Sequence, residues 1–247
     1  MPEEINYIWL FYGMLPIVAF FYAAVGHGGA SGYLALMALF SFSPLVMKPT
    51  ALMLNLFVAA IAFYHFWREG YFKHQLFFSF AISSIPLSFL GGTMDIEESM
   101  YKKILAVLLV FAILRMLFIV EKRQGQPINI KFWQGGIIGG CIGFFSGLIG
   151  IGGGVILTPI ILLMHWGSLK EAAAVSALFI WVNSAAALLG QFKTGIHLDS
   201  HSFLFIALAG VGGFIGAYFG SKKMNSKVLT YILAIILGVA CIKLFFS

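Results

Sequence analysis

Gly150-Ile151-Gly152-Gly153-Gly154 interrupts an apolar run that begins at Phe132, reaches Ile149 and resumes as Val155–Trp166. Far upstream, Gly26-His27-Gly28-Gly29-Ala30-Ser31-Gly32 interrupts Ile5–Val25 in the same manner, and an offset of 124 residues lays Gly26, Gly28 and Gly29 on Gly150, Gly152 and Gly153. The likeness spreads outward from these two stretches. An offset of 125 lays Gly70 on Gly195 and Gly91 on Gly216, and one of 128 lays Ile104-Leu105-Ala106 on Ile232-Leu233-Ala234 and Arg115 on Lys243. Each half reads as a long run, a glycine break, a short run and three more long runs. Self-similarity at a fixed period marks a duplication. The halves are residues 1–124 and 125–247, joined across the polar stretch Glu121–Pro127.

The composition says where such a chain can live. Of its 247 residues 61% are hydrophobic and 10% charged, with mean hydropathy +0.98. Soluble domains carry about 25% charged residues, and no soluble fold of this size could hide so much apolar surface. The chain therefore reads as an integral membrane protein. Its runs are long and lack the two-residue alternation of an outer-membrane barrel, so the expected fold is all-α and polytopic. The net charge of +6 is distributed between the runs, a topology signal rather than a nucleic-acid patch. Glu3 and Glu4 precede the first run where a signal peptide would carry basic residues. Cys141 and Cys241 both sit inside apolar runs, and no CxxC occurs, which argues against disulfide and zinc chemistry.

The short runs, Tyr33–Met47 and Val155–Trp166, decide the architecture, because they set how many times each half crosses the membrane. A full span takes about 20 residues. If the short runs do not cross, Lys and Arg divide six against seven between the two sides. If they cross, each half has five crossings, the second half is inverted, and the division is nine against four, with Lys48, Lys102, Lys103 and Lys193 on the poorer side. The second division obeys the positive-inside rule. The expectation is two inverted repeats, each of four long helices plus one short helix after the glycine break, with both termini outside the cytoplasm.

Glycine-broken short segments at matching places in two halves point to a transporter binding site. A helix broken inside protein frees backbone N–H groups, and consecutive free N–H groups form a concave nest for an anion. The short helix that follows adds the positive end of its dipole. The candidate site is therefore Gly26, His27, Gly28, Gly29 and Ala30 from the first half and Gly150, Ile151, Gly152, Gly153 and Gly154 from the second. Asn55 and Asn183, mid-run in the helix after each short segment, join it as possible donors. Elsewhere glycines four apart, as in Gly136 and Gly140, Gly139 and Gly143, or Gly212, Gly216 and Gly220, read as helix-packing stripes. Arg115 and Lys243 read as snorkelling anchors.

The middle of every apolar run lacks Asp and Glu. Cation transporters and proton relays lean on buried carboxylates, so an anion suits this inventory better. The histidines are scattered without metal-site spacing, and no metal or cofactor is expected. HExxH, P-loop and GxSxG motifs are absent, which disfavours an enzyme and ATP-driven transport.

Ile149-Gly150-Ile151-Gly152-Gly153-Gly154-Val155-Ile156-Leu157-Thr158-Pro159, together with Gly26-His27-Gly28-Gly29 and its short helix, resembles the duplicated glycine motif of the TauE/SafE (sulfite exporter) membrane transporters. Gly70 with Gly195, and Leu90-Gly91-Gly92 with Ile215-Gly216-Ala217, extend the resemblance over essentially the whole chain. It implies an inner-membrane secondary transporter of a small sulfur-containing anion: sulfite, a sulfonate or thiosulfate. Export of a monoanion gains about 2.3 kcal/mol per 100 mV, inside negative, whereas import needs a coupled proton or cation. An anion channel on the same scaffold, or a membrane assembly component without transport activity, are the competing readings.

Overall fold

The computed structural model describes residues 8–26, 28–118, 130–193, 195 and 202–222, with 238 and 241. Among them the first half holds α1 (Ile8–Ala24), α2 (Ala30–Leu39), α3 (Pro44–Arg68), α4 (His74–Thr93) and α5 (Glu98–Phe118). The second half holds α6 (Phe132–Ile149), α7 (Gly154–Leu163), α8 (Leu169–Gln191) and α9 (Ser202–Lys222). The expected run Val228–Phe246, His27, the side chain of Arg115 and Lys243 lie outside the described residues, apart from 238 and 241. Among the described residues every regular element is helical, and α3, α4, α6, α8 and α9 are long and apolar enough to cross a membrane. The chain is a multi-pass membrane protein.

One boundary differs from the sequence reading. The run Tyr33–Met47 is not one short segment. α2 stops at Leu39, Ser41 takes φ +58° in the turn, and Pro44 opens α3. A proline starts a helix readily, because its fixed φ suits the first turn and it lacks the N–H that would go unpaired there. Residues 44–47 thus belong to a 25-residue helix rather than to the end of the short one. At the matching place in the second half, Ser168 caps α8: its hydroxyl accepts from the Glu171 amide at 3.4 Å, and the Glu171 carboxylate accepts from the Ser168 amide at 2.8 Å. This is the reciprocal capping box. The same carboxylate meets Lys73 Nζ at 3.1 Å.

Helix packing relies on glycine. On α6, Gly139, Gly143 and Gly147 press against the backbone of Phe80, Ser84 and Ser88 on α4, so closely that a Cβ would collide with their carbonyl oxygens. On α9, Gly212, Gly216 and Gly220 press in the same way on Pro16, Phe20 and Ala24 of α1. Without a hydrophobic drive between helices in lipid, such backbone approach is the main source of association. Gly136 has no such neighbour; its carbonyl accepts from Ser83 Oγ at 2.6 Å, and a Cβ there meets open space.

These pairings also fix relative directions. Residue numbers rise together along α4 and α6, and along α1 and α9, so each pair is parallel. α3 is parallel to α9, with Val58 beside Gly213 and His65 beside Tyr218. α3 and α8 run antiparallel: Leu52 clusters with Ala187 and Leu188, Asn55 bonds Ser184, and Phe66 clusters with Ala173 and Ala174. Because α1 and α3 share a direction, the chain must return between them. α2 makes that return along α1, with Gly32 against Tyr22 and Val18 and the Phe40 ring 5.5 Å from Phe11. The helices of each half pack chiefly on those of the other, α4 on α6 and α8, α1 and α3 on α9.

Overpacking a tight contact costs about 1–3 kcal/mol. Gly143→Val and Gly216→Val are therefore expected to lower the melting temperature of the detergent-purified protein by several degrees. Gly136→Ala should leave it within a degree or two or raise it, since alanine is the better helix former by about 1 kcal/mol. Thermal melts followed by intrinsic tryptophan fluorescence read both.

Candidate functional site

Both glycine stretches are buried, and both begin a short helix from a residue that only glycine adopts easily. Gly29, with φ +96°, is the N-cap of α2, and Gly153, with φ +80°, is the N-cap of α7. A side chain would be strained at either. Neither cap is supplied with a side-chain acceptor. The amides of Gly28, Gly29, Ala30, Ser31 and Gly32 donate to no backbone carbonyl among the described residues, nor do those of Ile151, Gly152, Gly153, Gly154 and Val155. Each stretch therefore presents buried amides that lack a backbone acceptor among the described residues, at a positive helix end, the arrangement that holds anions.

The two rows meet. A Cβ added at Gly28 would lie 2.7 Å from Asn55 Oδ1, 2.7 Å from Ile180 and 3.2 Å from Ala59. A Cβ added at Gly152 would lie 2.5 Å from Asn55 Nδ2, 2.8 Å from Ile180 and 3.2 Å from Ser184 Oγ. The offset of 125 sends Asn55 to Ile180 and Ala59 to Ser184. The neighbours of one glycine are thus the repeat equivalents of the neighbours of the other. The same exchange appears one step outward, where Gly26 packs on Ala173 of α8 and Gly150 on Lys48 of α3, again 125 apart. Each loop rests on the antiparallel pair α3 and α8, and Asn55 with Ile180 stands at the meeting point.

Asn55 is fully buried; its Nδ2 donates to Ser184 Oγ at 3.1 Å, while its Oδ1 has no partner. Asn183, one turn beyond Ile180, is elsewhere occupied: its Nδ2 donates to Phe179 O of its own helix at 2.8 Å, and its backbone carbonyl accepts from Ser88 Oγ at 2.8 Å. Its Oδ1, like that of Asn55, has no hydrogen-bond partner among the described residues, but its side chain is not among the nearest neighbours of a Cβ at any loop glycine. The structure brings together Gly28, Gly152 and Asn55, seats Gly26 and Gly150 at the two flanks, and puts Asn183 outside the junction. Ile151 is buried within its loop, Ala30 is buried at the first position of α2, and Gly154 packs on Ile180 from the α7 side.

Ile180 and Tyr33 escaped sequence reasoning, whereas Ser184 is one of the polar residues inside the apolar runs. Ile180 carries no polar anomaly, and only the repeat offset applied to Asn55 could have found it. Tyr33 lies on α2 with its phenol folded back over Gly29, fully buried and without a hydrogen-bond partner among the described residues. Beside it Ser31 Oγ donates to the Tyr22 hydroxyl at 2.9 Å. At the second loop Tyr101, on α5 of the first half, donates to the Ile149 carbonyl at 2.8 Å, and Thr158 in the middle of α7 donates to Ser176 Oγ of α8 at 2.8 Å. Among the described residues no group of His, Cys, Asp and Glu could hold a metal ion.

Comparison with known proteins covers nearly the whole chain. Residues 12–244 match the family described as Sulfite exporter TauE/SafE. The chain is 39% identical over 232 residues to "Probable membrane transporter protein y4hK" of Sinorhizobium fredii (strain NBRC 101917 / NGR234), covering 92% of this chain and 94% of that protein. It is 28% identical over 149 residues to "Probable membrane transporter protein YunE" of Bacillus subtilis (strain 168), covering 52% and 54%. No solved structure matches it.

An unpaired buried hydroxyl contributes nothing to folding, so Tyr33→Phe is expected to leave the ligand-free melt unchanged or raise it by up to about 1 kcal/mol. Ser184→Ala strips the Asn55 amide of its acceptor and should cost about 1 kcal/mol. Paired melts of the two variants against the parent protein check both signs.

Proposed function

The chain belongs to the sulfite exporter TauE/SafE family and is a membrane transporter, and we propose that it carries a small sulfur-containing anion of the sulfite, sulfonate or thiosulfate class across the inner membrane by alternating access. The observation that carries this reading is the convergence of Gly28 and Gly152 on Asn55 and Ile180. One glycine from each row and one carboxamide then meet at a single buried point. Oxyanions take hydrogen bonds from such amides at helix starts without a formal positive charge. The scarcity of acidic groups suits the same cargo: Lys48 is the one buried charged side chain among the described residues.

The antiparallel course of α3 and α8, which are repeat equivalents, supports an inverted arrangement of the halves. So does the return of α2 along α1, which gives the first half an odd number of passes. In such folds the cargo sits where the repeats meet, and rocking of one repeat against the other exposes that point to each side in turn. The loops here close on one another with no room for a Cβ between Gly28 and Asn55, so admitting cargo requires the pair α3 and α8 to part. Net export runs down the membrane potential for an anion; import requires a coupled proton or cation.

The test uses purified protein and proteoliposomes. Sulfite, thiosulfate, sulfoacetate or methanesulfonate should raise the melting temperature by a few degrees at millimolar concentration, as binding to the folded state alone requires, while sodium and potassium at constant chloride should not. Gly28→Val, Gly152→Val and Asn55→Asp should each cut anion flux at least tenfold, the last by setting a carboxylate against the cargo. Full flux in all three variants would end the assignment of these loops.

A further inference from the structure

Lys48 is the most unusual side chain outside the junction. It stands on the second turn of α3, 8% exposed, in a cleft lined by Pro44, Asp95, Tyr101, Leu148 and Gln191. Burying an ammonium is costly unless it is paired, yet the ion pairs among the described residues join Lys73 to Glu171 and Lys102 to Glu98. Lys48 Nζ instead makes long contacts to the carbonyls of Met94, at 3.3 Å, and Gly92, at 3.5 Å, at the end of α4. An ammonium has three donors, so two weak bonds leave it capacity for a further acceptor. The stem of the same side chain packs on Gly150, where the second glycine loop begins. Lys48 and Asn55 are seven residues apart on α3, two helical turns and about 10 Å of rise, and the loop runs beside them, Gly150 against Lys48 and Gly152 against Asn55. The corresponding flank of the first loop has Ala173 in place of a cation. Lys170, on the opening turn of α8, is held by the Tyr71 hydroxyl at 3.0 Å and the Ser221 carbonyl at 3.2 Å.

We propose that the Lys48 cleft is an outer binding site for a small oxyanion, from which the cargo passes along the second glycine loop to Asn55. It rests on the anion-transport reading above. A single buried cation at an open cleft focuses the field on that mouth and raises the local anion concentration. Asp95, which lines the same cleft, opposes it and sets how tightly the anion is held. The site belongs to one face only, the face at which α4 and α8 end, so the transporter recruits its cargo unequally from its two sides.

The experiment measures sulfite and methanesulfonate flux in proteoliposomes of defined orientation, with KM read from each face at low and high salt. Lys48→Met should raise KM about tenfold on the cleft face alone and flatten its salt dependence, with maximal flux unchanged. Lys48→Arg should keep KM near that of the parent. Asp95→Asn should lower KM several-fold on that face, an effect in the opposite direction that a fold defect would not produce. If Lys48→Met merely lowers the melting temperature and leaves KM and its salt dependence unaltered, while Gly152→Val abolishes flux, Lys48 only caps α4 and this proposal is wrong although the central site stands. If the parent protein moves neither anion, the transport reading and this one fall together.

Discussion

Two broken helix starts, one from each half of the chain, press on the same two side chains. Gly28 and Gly152 both abut Asn55 and Ile180, and that contact constrains everything around it. It requires α3 and α8 to lie side by side, since each contributes one of the shared residues. It requires the chain to turn back after α1 and after α6, since each loop must dip into the protein before its short helix begins. It also requires glycine at the caps of α2 and α7, because a side chain there would be strained in the left-handed conformation and would collide with its surroundings: Tyr33 at Gly29, and Phe179 and Ile142 at Gly153.

The surrounding helices hold this contact by backbone rather than by bulk. α6 meets α4, and α9 meets α1, through glycines that leave carbonyl oxygens against the neighbouring backbone. Large apolar side chains also face outward, with Trp9, Trp133, Phe203 and Val211 all more than 60% exposed toward the position of lipid, while Phe11, Tyr22, Phe80, Phe179 and Phe205 fill the core. The glycine-lined pairs thus join the two halves of the molecule.

Much of this could be read from the sequence, because the signals were local and repeated. Helix content followed from run length and the membrane from composition. Three features were hidden for physical reasons. Pro44 falls inside an apolar run, so hydropathy alone joined the turn at Phe40–Ser43 to the short helix. Asn183 is as polar as Asn55, but tertiary packing turns its amide back onto Phe179, and the true counterpart of Asn55 is an isoleucine that no search for polar residues would select. Lys48 counts as a loop charge in a topology tally, while the structure puts it on a helix, buried, against the second glycine loop.

The decisive measurement is a structure of the protein with selenite, the electron-dense analogue of sulfite, located by its anomalous signal. The account predicts a selenium peak within hydrogen-bonding reach of the amides of both glycine stretches and of the Asn55 carboxamide. A peak that lies only at the lipid-facing surface, with the loops still closed on Asn55 and Ile180, would contradict it.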